Sequence, residues 1–95
     1  MKIIELDLTG CQYVYDIHEK IRIAFGFDDE YGHNWSAFWD MLWSECDADK
    51  VVIKGENSLP LDFNPSLITM HEILDDTVAF RKDNNLASFS YEVIN

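Results

Sequence analysis

The order of hydrophobic patterns along the chain predicts an α/β fold, β-α-α-β-α-β, with a three-stranded parallel sheet packed with about three to four helices. Three observations point there. Strand-like segments open, divide and close the chain, and segments of helical period lie between them. Strands separated by helices need crossovers, which make neighbouring strands parallel. The middle strand is apolar at three consecutive positions, Val51, Val52 and Ile53, which predicts burial on both faces and helices on both sides of the sheet. The pattern does not specify strand order.

Each element follows from a local signal. Lys2 to Leu8 is the first strand, with Ile4, Leu6 and Leu8 on one face, and Gly10 breaks it. From Tyr13 to Phe25 the period becomes helical. Val14, Ile17, Ile21 and Phe25 share a face, Asp16, Glu19, Lys20 and Arg22 lie elsewhere, and Gly26 suits the stop. An acidic loop runs from Phe27 to His33. Asn34 suits a helix N-cap, since its side-chain oxygen can accept an orphan backbone N–H, and a second helix runs to about Cys46. Lys50 to Lys54 is the second strand. Pro60 and Pro65 interrupt the next connection, and Pro65 fits the first turn of a helix, where its missing N–H costs nothing. That helix runs to about Asp83. Leu67, Met70, Ile73, Leu74, Val78 and Phe80 point inward, and Glu72, Asp75, Asp76 and Lys82 outward. Asn84-Asn85 is a turn, and Leu86 to Ile94 alternates as the last strand, with Phe89, Tyr91 and Val93 on one face.

Composition narrows the function. The 95 residues suit one domain, residues 1–95, whose 47% apolar content supports a core without disulfides or metal. Eighteen carboxylates against seven Lys and Arg leave a net charge of −11. Such a surface repels phosphate backbones and anionic membranes and favours encounters with basic proteins, although on composition alone the preferred reading is that the acidity keeps the domain soluble. Cys11 and Cys46 have no CxxC neighbour, and no leader or spanning segment is seen, so packing cysteines and a cytoplasmic address are expected. Enzyme signatures are missing: no GxGxxG, no GxxxxGK[ST], no GxSxG. His71-Glu72 starts like a zinc-protease motif, but Asp75 stands where the second His belongs. His18, His33 and His71 share no ligand spacing. No catalysis, metal or cofactor is expected, and the histidines read as surface or structural residues.

One window stands apart. Between Arg22 and Lys50 there is no Lys or Arg, while Asp28, Asp29, Glu30, Asp40, Glu45, Asp47 and Asp49 all fall there, with all three tryptophans and more than half of the aromatic residues. Carboxylates interleaved with large aromatics match a binding hot spot better than a plain solvated face. On a helix with about 100° between residues, Trp35, Phe38, Leu42 and Cys46 make a core side. Ser36, Asp40, Trp43 and Asp47 make the other, with Trp39 at the border. Trp43 in a polar stripe points to a partner contact, the alternative being that the third helix or a loop covers it.

Tyr31-Gly32-His33-Asn34, Ala37, Trp39-Asp40 and Leu42 resemble the signature of the barstar family, intracellular inhibitors of secreted barnase-type ribonucleases. Asp16-Ile17-His18 fits upstream without a gap. The motif covers the middle third of the chain, and the element order agrees over essentially all of it. The resemblance implies a mechanism: the second helix and the loop before it plug the nuclease active site, and a helix-borne aspartate takes the place of a substrate phosphate. The matching residue is Asp40, flanked by Trp39. A nuclease site must be cationic to hold RNA, so a preorganised carboxylate can compete there, and a helix holds it more rigidly than a loop. The expected partner-binding set is Asp40, Trp39, Ser36, Trp43, Glu30, Tyr31, His33 and Asp47. Gly32 is expected to permit the turn into the helix and Asn34 to cap it.

The departures from that pattern are specific. Ser36 stands where tight barnase binders carry a second carboxylate, Glu30 where an aromatic is familiar, His33 where an acid is, and Trp43 where the residue is smaller. The short helix expected after the second strand reads as a Pro60-containing loop. On the last helix Asp75 and Asp76 are both candidates for a further contact. The expected function is an immunity-type inhibitor, monomeric when free, of a basic ribonuclease or related toxin domain. The alternative is a binding module of the same fold whose partner is not a nuclease.

Overall fold

A computed structural model describes residues 2–44 and 46–94; Glu45, counted above in the acidic window, lies outside them. The strands are β1 (Ile3–Asp7), β2 (Lys50–Lys54) and β3 (Ser90–Ile94), and the α-helices are α1 (Val14–Phe25), α2 (Trp35–Ser44) and α3 (Asn64–Asp83). All pairing is parallel, in the order β1-β2-β3, with Ile4 opposite Val51 and Val51 opposite Tyr91. The element order is the predicted β-α-α-β-α-β. Two 3-10 turns, Glu56–Ser58 and Leu61–Phe63, occupy the connection that reads as a loop from its prolines. β3 starts only at Ser90: Leu86–Ser88, predicted to open the last strand, lie exposed ahead of it and are not part of it.

The expectation of helices on both sides of the sheet is overturned. Ile4, Leu6, Val51 and Ile53 are buried, but Ile3 on the opposite face is 56% exposed, and Glu5, Asp7, Ser90, Glu92 and Ile94 beside it are also open. With strands added in one direction, crossovers of one hand all fall on one face. Val52 is therefore half-buried on the open face, between Glu5 and Glu92 in the register. Those carboxylates pair with Lys54 at 2.5 Å and Lys50 at 3.0 Å, so charged stems shield the valine where a helix does not. At the end of β2, Gly55 has φ +83, and a Cβ there would sit 2.6 Å from the backbone N of Thr9.

The covered face carries the core. Leu6, Leu8, Ile17, Ile21, Phe38, Leu42, Val51, Ile53, Met70 and Leu74 are fully buried. α1 starts where Asp16 accepts the N–H groups of Gln12 and Tyr13 at 2.9 and 3.0 Å, and stops at left-handed Gly26 (φ 73). Its buried stripe is Ile17, His18, Ile21 and Phe25; Val14, predicted inward, is exposed, and His18 fills that arc.

Candidate functional site

The loop between α1 and α2 turns on three residues. Asn34 caps α2 as predicted: its Oδ1 accepts the N–H of Ala37 at 2.8 Å. Its Nδ2 donates to the carbonyl of Gly32 at 3.0 Å, tying the cap to the loop. The left-handed residue at this turn is His33, at φ 51, and Gly32 is not among the positive-φ glycines. Gly32 is needed for space: a Cβ on it would stand 3.2 Å from both Ala37 Cβ and Asn34 Nδ2. His33 is half-buried, and its Nε2 donates to Glu19 Oε2 of α1 at 2.7 Å. Glu19 is held far below the usual carboxylate range, at about 2, first by Arg22 and then by His33.

Tyr31, expected among the contact residues, is buried in the free chain. It is 4% exposed, and its hydroxyl is hydrogen-bonded to His18 Nδ1 at 2.7 Å, beneath the loop. Burial pushes the Tyr31 phenol up. His18 is 1% exposed, with its ring 4.2 Å from that of Trp35. Its pKa falls to about 4, chiefly through desolvation and secondarily through the neighbouring His33. The two residues form a polar peg under the loop. Nothing in one-dimensional spacing marks that pairing, although Tyr31 and His18 both lie in the family-like motif.

Asp40 projects from the middle of α2 into solvent. Among the described residues no cation lies within ion-pairing distance of its carboxylate. It borders two concavities. One, toward the loop, has Asp28 and Glu30 on its rim and Phe25, Phe27 and Met41 beneath. The other, toward α3, is lined by Trp35, Ser36, Trp39, Thr69 and Ile73. Trp39 is 41% exposed, and its ring lies 4.5 Å from that of Trp43, tilted by 33°. Ser36 and Glu30 are exposed on the same surface. Thr69 and Ile73 escaped sequence reasoning, because only the packing of α3 beside α2 brings them there.

For Trp43 the structure decides between the two readings in favour of cover by the third helix. Trp43 is half-buried in the α2–α3 seam, 4.0 Å from the Phe80 ring, and its Nε1 donates to Thr77 Oγ1 at 2.9 Å. Asp47, beyond the end of α2, is exposed but paired with Lys2 at 2.6 Å, which holds its carboxyl below the usual range. Asp75 accepts the hydroxyl of Tyr91 at 2.7 Å and so is turned toward β3. Asp76 is exposed, three residues beyond Ile73 and four before Phe80, on the side of α3 that meets α2.

The described residues contain no group of three or more His, Cys, Asp or Glu able to hold a metal ion, and no described helix is long and apolar enough to cross a membrane. A search of curated proteins finds no match for the chain. A family model described as "Barstar (barnase inhibitor)" matches residues 1–91, nearly the whole sequence. With this coverage, and with the three parallel strands and three helices in the order expected of it, the chain belongs to the barstar family.

Proposed function

We propose that this protein inhibits a basic ribonuclease of the barnase type, or a related toxin domain, by placing the Asp40 carboxylate where the enzyme binds a substrate phosphate. The observation that carries the reading is the state of Asp40: an unpaired, exposed carboxylate on a capped helix, beside a half-open indole and between two concavities. Trp39 supplies flat apolar area next to it. Glu30 and Asp28 extend the negative surface on the loop side, and Ser36 lies on the other. Asp76 is the α3 carboxylate on the same flank, since Asp75 is engaged by Tyr91. The inhibitor acts in the cytoplasm, on the nuclease of its own cell.

Titrating the chain against a barnase-type ribonuclease, with RNA cleavage and calorimetry as readouts, tests this. Asp40→Ala should weaken binding at least about a hundredfold, equivalent to about 3 kcal/mol, because the enzyme's buried cations lose their counter-charge. Its unfolding free energy should move by no more than about 0.5 kcal/mol, as for other exposed positions. Binding unchanged within twofold would refute the assignment.

Ser36, Glu30 and His33 favour a second reading, a non-nuclease partner gripped by the same face, because they alter the contact chemistry of the family. That reading gains if no ribonuclease binds while Asp40→Ala abolishes capture of another protein.

A further inference from the structure

We infer that three residues of α1, Tyr15, Glu19 and Arg22, form a clasp that positions the recognition loop and the first turn of α2, so that affinity depends on α1 side chains behind the contact surface. The inference rests on the reading that this loop and α2 form the binding face. The three residues are spaced four and three apart, on one side of α1. Tyr15 is 60% exposed, and its ring lies flat on that of His33, with centroids 4.5 Å apart and planes 12° apart. Glu19 receives the His33 Nε2 proton donor at 2.7 Å. Arg22 grips both Glu19 oxygens, at 2.7 to 3.2 Å, and reaches Asp29 of the loop at 3.1 Å.

The loop needs such a device. It carries three consecutive acids, Asp28, Asp29 and Glu30, and no cation of its own, so its charges repel one another. Its last residue, His33, has a left-handed backbone without being glycine, a conformation that costs about 1–2 kcal/mol and persists only when the surroundings hold it. His33 immediately precedes the Asn34 cap, so fixing its ring fixes the direction in which α2 leaves. Arg22 supplies the missing positive charge, Glu19 orients both the guanidinium and the imidazole, and Tyr15 closes over the ring. Tyr31 is pinned from below by His18. The loop is thus held at Asp29, Tyr31 and His33.

Two measurements on Glu19→Ala and Glu19→Gln decide the matter. In the free chain, amide hydrogen exchange is compared at Glu30, Tyr31 and Ala37, whose N–H groups are hydrogen-bonded within the loop and cap, and at Val51 and Ile53 of β2. Glu19→Ala should speed exchange at the first three about tenfold or more and leave β2 unchanged. Glu19→Gln, which keeps an acceptor for His33, should recover most of the protection. In complex with a barnase-type ribonuclease, Glu19→Ala should bind about tenfold more weakly and Glu19→Gln nearly as well as the parent. Loop exchange unchanged in Glu19→Ala, or raised equally in β2, would overturn the clasp. If the parent chain does not bind the ribonuclease, the reading of the partner falls, while the exchange experiment still judges the clasp.

Discussion

His18 shows how one side chain couples the site to folding. It is enclosed by Tyr31 and Trp35, and burial keeps it neutral, with its folded pKa near 4 against an ordinary 6.5. Between those values the unfolded chain binds the proton and the folded chain does not. Stability is therefore complete above about pH 6.5 and drains away as pH falls toward 4. Urea unfolding should show a loss of about 2 kcal/mol between about pH 7 and pH 5, before most carboxylates titrate. His18→Gln should flatten that slope, and an unchanged slope would place the proton elsewhere. Asn34 is the other residue with a separable role: Asn34→Ala should cost about 1 kcal/mol in the same assay, since the Ala37 N–H loses its acceptor. The cap was legible in the sequence because capping is a contact over three residues. The His18–Tyr31 bond was not, because it spans thirteen.

α2 is the element whose reading changed most. Its sequence, WSAFWDMLWS, has almost no charge, and its apolar arc is wider than one core contact needs. The physical reason is that α2 meets two neighbours. Phe38 and Leu42 enter the core, while Trp43 packs against Phe80 and Thr77 of α3. A helical wheel reports the angular width of an apolar arc but not which body covers each edge, so the sequence left Trp43 between a partner contact and cover by the third helix. Trp43→Ala should cost about 3 kcal/mol in stability, by loss of packing and of the seam, and Trp39→Ala, whose ring is more open, distinctly less. Denaturant titration of both variants checks this. Equal, small losses would mean that the seam contributes little.

Over the whole molecule the cations are placed unevenly. Lys50 and Lys54 neutralise Glu92 and Glu5 on the open sheet face, and Lys2 holds Asp47. The loop and α2 contain none, and Arg22, which borders them, is occupied by Glu19 and Asp29. Asp40 thus stands in a segment whose acids have no Lys or Arg of their own to offset them. Association with a basic ribonuclease should slow at least about tenfold when salt rises from about 0.05 to 0.5 M, as screening shortens the field. Glu30→Gln should act on the association rate and Asp40→Ala mainly on dissociation. Stopped-flow tryptophan fluorescence separates the two; a salt-independent association rate would remove steering from the account.

By itself the sequence determined the succession of strands and helices, the inward faces of β1 and α3, the cap at Asn34 and the acidic, aromatic window around Asp40. Those features depend on periodicity and on neighbours a few residues away. Only the tertiary structure decided that the sheet is covered on one side, that Tyr31 serves the core, that Trp43 belongs to the α2–α3 seam and that His33 is held by α1. Each of these is a contact between segments distant in the chain, such as Trp43 and Thr77, which stand 34 positions apart. Such a contact exists only once the crossovers have brought its partners together.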